Sequence, residues 1–128
     1  MKEDYSKLIG TPYSEKDCYG IIVEFYKVVF GIDLSRYYDE IPKSRDVAKN
    51  LIYSSMGDFR EIKDAKAIQF GDLILIKIFG VESHIAVYLG DDKMLHSTLH
   101  SGCVVERVLR WKHLIVGYYR VVKDDTAS

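Results

Sequence analysis

The hydrophobic period changes once along this chain, and that change limits what the chain can fold into. Over residues 17–30 the apolar positions Ile21, Ile22, Phe25, Val28 and Val29 fall at i, i+1, i+4, i+7 and i+8, the stripe of a helix with one buried face. Asp17 stands where an N-cap is expected and Gly31 where a C-terminal cap is expected. Residues 33–43 read as a loop. Ser44 then begins a second helical stretch, with Val47, Leu51 and Ile52 at helical spacing and Gly57 as its stop. After Lys66 the period becomes that of strands. Residues 73–79, 84–89, 93–98, 104–108 and 115–122 are strand candidates, with a short helix or turn at 110–113. Helices first and hairpin-linked strands afterwards describe an α+β fold, N-terminal helices packed on an antiparallel sheet of about five strands.

The chain has 128 residues, 48% apolar and 29% charged, which suits one globular domain over 1–128 with its core at about 10–122. Lys and Arg number 18 against 19 Asp and Glu, so no basic excess points to nucleic acid. No apolar run reaches the roughly 20 residues of a membrane span, and no membrane partner is expected. The first residues, Met1-Lys2-Glu3-Asp4-Tyr5, carry no hydrophobic stretch, so no signal peptide is expected. Cys18 and Cys103 do not make a secreted disulfide framework and read as free thiols. His96 and His100 are four apart, but glycine and β-branched neighbours and the lack of a CxxC argue against a metal site.

Cys18 falls at the start of the first helix, where unpaired N–H groups and partial positive charge favour thiolate over thiol. A lone cysteine is more often a small buried core residue; here His84 and His96 weigh against that. With Gly90-Asp91-Asp92 as a three-residue hairpin loop, Leu89 faces Lys93, paired residue numbers sum to 182, and Ala86 faces His96. His84 and His96 then become diagonal neighbours on one face, the face expected to meet the start of the Cys18 helix. A two-residue loop would put them on opposite faces. A thiol, an imidazole to take its proton and a third group to orient that imidazole make up a cysteine peptidase site, in the chain order of papain-like enzymes.

Five stretches carry a family resemblance: Gly10-Thr11-Pro12-Tyr13, Asp17-Cys18-Tyr19-Gly20-Ile21-Ile22, Phe70-Gly71-Asp72-Leu73-Ile74, His84-Ile85-Ala86-Val87-Tyr88-Leu89-Gly90 and Lys93-Met94-Leu95-His96-Ser97. In that order the sequence resembles the NlpC family of papain-like cell-wall cysteine peptidases. The resemblance implies Cys18 as nucleophile, His84 as base and His96 as the orienting residue, with Tyr13 near the oxyanion hole. Asp17 and Tyr19 join Tyr13 as substrate-side candidates, Asp17 also reading simply as an N-cap. The implied reaction needs no cofactor and cleaves an amide bond in peptidoglycan stem peptides, usually the one joining D-γ-glutamate to a diamino acid.

Tyr19 in place of the usual serine, Phe25-Tyr26, Gly31-Ile32 and the run from Trp111 and His113 to Val116-Gly117-Tyr118-Tyr119-Arg120 are similar to the peptidase domain of phage and prophage tail-tip assembly proteins. That narrower resemblance implies tail-tip partners and a virion setting after synthesis in the cytoplasm. Two departures from the family stand out: the segment between Tyr13 and Asp17 is only Ser14-Glu15-Lys16, and Tyr19 stands in place of the serine whose hydroxyl the family uses in amine recognition. The alternatives are a non-enzymatic tail docking module on the same fold and an acyltransferase of the lecithin–retinol type. The latter places its cysteine after its histidine, the reverse of the order here.

Overall fold

The computed structural model describes residues 4–34, 59–78 and 81–121. The second expected helix, from Ser44 to Gly57, lies outside the described residues. Among the described residues, one α-helix, α1 (Cys18–Phe30), packs on a sheet of six antiparallel strands: β1 (Phe59–Ile62), β2 (Leu73–Ile78), β3 (Val81–Gly90), β4 (Lys93–Thr98), β5 (Gly102–Arg107) and β6 (Ile115–Val121). The spatial order is β1-β6-β2-β3-β4-β5. A 3-10 helix over Val108–Leu114 joins β5 to β6. This is the α+β arrangement expected, with β1 as the strand the sequence reading omitted.

Both caps of α1 are formed. Asp17 accepts a hydrogen bond from the Gly20 N–H at 2.8 Å. Gly31 sits at φ 70°, a left-handed position that suits a residue without Cβ.

Strand alternation sorts the core into two layers. Leu73, Leu75, Ile85, Val87, Leu95 and Cys103 face α1 and pack on Cys18, Tyr19, Ile22, Phe25 and Val29. Ile74, Ile76, Ala86 and Met94 face the other way, under Trp111 and Leu114 of the 3-10 helix. Each layer removes a continuous apolar patch from water, the main favourable term in holding such a sheet together.

The β3–β4 turn differs from the three-residue loop expected. Gly90 pairs with Lys93 across a two-residue turn, Asp91 and Asp92, both at positive φ as a tight hairpin turn requires. One extra residue on β3 between Tyr88 and Gly90 then shifts the register, so that Tyr88 faces Met94 and Val87 faces Leu95. The sum is 182 after all. The bulge restores the parity that a two-residue turn alone would have broken.

Past Val87 and Leu95 the pairing of β3 with β4 stops, although β3 begins at Val81 and β4 runs to Thr98. The two strands part like a fork at the end that carries His84 and His96. Backbone bonds between Gly10 and Cys103 and between Cys103 and Thr11, both 2.8 Å, hold the N-terminal segment along the start of β5. Gly102, at φ 68°, is required there: a Cβ would sit 2.4 Å from the Thr11 carbonyl oxygen.

Candidate active site

The site forms where the start of α1 meets the fork. Ser97 of β4 donates its hydroxyl to the Lys16 carbonyl at 2.7 Å, tying the residues just ahead of Cys18 to one prong. The other prong supplies the Ile85 N–H, which bonds to the Cys18 sulfur; Ile85 follows His84 directly in the chain. The N–H groups of Cys18 and Tyr19 also point toward the sulfur.

His84 and His96 share one face, and their rings meet: His84 Nε2 lies 2.8 Å from His96 Nδ1. Pairing of Ile76 with His84 and of His96 with Val104 places both imidazoles on the face opposite the body of α1, under Trp111. The sequence placed this face against the start of the Cys18 helix; the body of that helix covers the other face. The start of α1 lies on the other side of β3, where the Ile85 N–H meets the Cys18 sulfur.

Burial decides the charge state. Cys18 is 4% exposed, and burial, with Asp17 adding to the effect, pushes its thiol up to about 12. The three N–H groups oppose that rise and are outweighed. The helix start therefore does not yield a resting thiolate, contrary to the sequence expectation. Burial, with His96 beside it, pushes His84 down to about 3. Burial also lowers His96, against the opposing pull of Glu106. At neutral pH the resting pair is a thiol and a neutral imidazole.

Tyr13 comes within electrostatic range of Cys18 and Asp17; burial first, then those two neighbours, raise its hydroxyl. It remains a neutral donor at neutral pH. Asp17 serves as the helix cap. The Tyr19 side chain, expected on the substrate side, turns away from the site: it is fully buried, and its hydroxyl donates to the Leu34 carbonyl at 3.0 Å. What Tyr19 offers the thiol is its backbone N–H. An open groove of about 450 Å³ runs between Gly10, Pro12, Tyr13, Ser14 and the Leu99–Gly102 turn, with Cys18 outside its lining. Among the described residues no group of three or more His, Cys, Asp or Glu is arranged to hold a metal ion.

Glu106 was not singled out in the sequence. Its Oε1 lies 2.6 Å from His96 Nε2 and accepts the Trp111 indole N–H at 3.1 Å. The β4–β5 register, with His96 facing Val104 and Met94 facing Glu106, makes His96 and Glu106 diagonal neighbours on one face. Extending the pairing argument across the 99–101 turn would have exposed it.

The chain matches the NlpC/P60 family over residues 5–121. It belongs to that family. An Escherichia coli strain K12 relative, "Murein DD-endopeptidase MepS/Murein LD-carboxypeptidase", is 22% identical over 99 residues, 77% of this chain and 45% of the relative. The chain thus spans just under half the length of that relative. The NlpC/p60 domain of the peptidoglycan hydrolase SagA superposes with a TM-score of 0.58 at 25% identity, covering 91% of this chain and 92% of that one. The P60 domain of the Mycobacterium avium subspecies paratuberculosis antigen MAP1204 superposes at 0.63 and 20% identity, covering 94% and 90%. These likenesses support the papain-like α+β fold.

Proposed function

We propose that this chain is a cysteine endopeptidase that hydrolyses an amide bond in peptidoglycan stem peptides. The observation that carries the reading is the His84–His96 bond, one residue along β3 from the Ile85 N–H that meets the sulfur of a cysteine held at a helix start. The family, and relatives whose names denote murein peptidases and a peptidoglycan hydrolase, support the substrate class.

In the reaction, the Cys18 sulfur attacks the scissile carbonyl as its proton passes to His84. Nε2 of His84 is engaged by His96, so Nδ1 is the nitrogen that receives the proton. The tetrahedral oxyanion takes hydrogen bonds from backbone N–H at the start of α1 and from the neutral Tyr13 hydroxyl. His84 gives the proton to the leaving amine, and a thioester remains on Cys18. Water, deprotonated by His84, then releases the acid and restores the thiol. The neutral resting pair makes this general-base catalysis, with charge separating only as the sulfur attacks.

We further propose the bond between D-γ-glutamate and a diamino acid as the target and a phage or prophage tail as the setting. The support for both is the sequence resemblance carried by Asp17-Cys18-Tyr19-Gly20 and the residues around it. Digestion of purified peptidoglycan with mass analysis of the fragments, run beside Cys18→Ala, tests the activity. New γ-glutamyl-terminated fragments from the native chain alone are expected. Identical fragment patterns from the two proteins overturn the reading.

A further inference from the structure

The His84–His96 bond has an ambiguity that two neutral imidazoles cannot resolve by themselves. The hydrogen between His84 Nε2 and His96 Nδ1 can belong to either ring. If it belongs to His96, the hydrogen of neutral His84 sits on Nδ1, and that nitrogen cannot accept the thiol proton. If it belongs to His84, Nδ1 is bare and ready. Catalysis needs the second arrangement, and nothing in the histidine pair selects it.

Glu106 does. A carboxylate accepts hydrogen bonds and donates none, so a 2.6 Å contact with His96 Nε2 puts a hydrogen on that nitrogen. A neutral imidazole carries one such hydrogen, which leaves His96 Nδ1 bare. A bare Nδ1 requires the 2.8 Å bond to be donated by His84 Nε2. That uses the one hydrogen of neutral His84 and leaves its Nδ1 open.

Two neighbours keep Glu106 an acceptor. The Trp111 indole N–H donates to the same Oε1 at 3.1 Å, and the Arg110 guanidinium stands 3.6 Å from Oε2. Trp111 also covers the relay, stacked over His84 at 6.1 Å and edge-on to His96 at 5.2 Å. It keeps water from competing for the two imidazole bonds.

We propose that Glu106 is a positioning residue that, through His96, holds His84 in the tautomer whose Nδ1 is open to the Cys18 proton. This rests on the peptidase reading above for its functional meaning, but the tautomers can be read without any substrate.

The test is nitrogen-15 NMR of the imidazoles of the resting full chain at neutral pH, for the native protein, Glu106→Gln and Glu106→Leu, with turnover of peptidoglycan measured alongside. In the native protein both rings are expected to carry hydrogen on Nε2. Glu106→Gln is expected to keep that pattern, because the Trp111 indole N–H, a donor only, selects the amide oxygen at the Oε1 position, and to retain turnover within about threefold. Glu106→Leu removes the acceptor; mixed tautomers at His84 and a kcat about tenfold or more lower are expected, the scale seen when an outer-shell partner is lost, with KM little changed. A native His84 or His96 carrying hydrogen on Nδ1 overturns the proposal even if Glu106→Leu fails to fold. So does a folded Glu106→Leu with the native tautomers. If the tautomers respond as described but the native chain releases no peptidoglycan fragments, the relay stands and the peptidase reading falls.

Discussion

The Ser97 hydroxyl and the Lys16 carbonyl, joined at 2.7 Å, are 81 residues apart in the chain, and Ser97 is fully buried. Lys16 lies two residues ahead of Cys18 and Ser97 immediately after His96. One bond therefore relates the position of the thiol to the strand that holds the imidazole pair. Ser97→Ala is expected to cost about 1 kcal/mol, the net worth of one part-buried hydrogen bond. It should lower kcat more than it raises KM, because the sulfur and the base lose their common anchor. Urea unfolding and steady-state kinetics on one preparation check this. A stability loss with kcat unchanged would show that the bond serves the fold alone.

The members of the site should not be equally sensitive. Cys18→Ala and His84→Ala are expected to abolish release of soluble peptidoglycan fragments, since each removes an atom that forms a bond or carries the proton. His96→Ala should leave a trace, because His96 orients the base without touching the reacting atoms. Fragment release, with circular dichroism to show that each variant is folded, decides the order. A His96→Ala protein as dead as Cys18→Ala would make that imidazole a direct participant.

Stability should be lost at both ends of the pH scale. Unfolded, His84 takes up its proton near 6.5; folded, it does so only near 3. Between those values the unfolded chain binds more protons, so acid weakens the fold by up to about 1.4 kcal/mol per pH unit for each such histidine. His96 shifts in the same direction. At the other end, an unfolded cysteine ionises near 9 while folded Cys18 holds its proton to about 12, so alkali above 9 also destabilises. Melting temperatures across that range should form a plateau bounded near 6.5 and 9. In His84→Ala the acid edge should be shallower; an identical acid edge would place the sensitivity elsewhere.

The same burial sets the chemistry of Cys18 toward small reagents. Alkylation by iodoacetamide should rise steadily with pH and show no step below about 8, because no thiolate population is stored at neutral pH. Reaction rates followed by mass spectrometry, with Cys103 resolved as a separate peptide, measure this. A step with its midpoint below 7 at Cys18 would mean that the helix start outweighs burial.

Much of this site could be read from residue patterns, and the misses have physical causes. The α1 stripe and its two caps are local, so Asp17 and Gly31 marked its ends. Alternation placed β2 to β6, while β1 escaped because Phe-Arg-Glu-Ile has only four residues and a charged middle. The parity of His84 and His96 was legible, although for the wrong turn: the bulge at Leu89 supplied the residue that a longer loop was expected to supply. Charge state was not legible. A helix N-terminus is visible in sequence, but the desolvation that overrides it depends on strands some 70 residues away. Tyr19 misled for the same reason, since adjacency to Cys18 says nothing about which way a side chain turns on a helix.

The fork between β3 and β4 also bears on the order of folding. The hairpin that carries both imidazoles closes through neighbours in sequence and can form early, whereas the thiol arrives only when a loop of 81 residues has been shut. Such a closure costs entropy before any contact offsets it, which makes docking of the helix start a late step. A partly folded chain would hold its proton relay and its nucleophile apart. On the peptidase reading, the thiol and its base come together only once that long-range contact has closed.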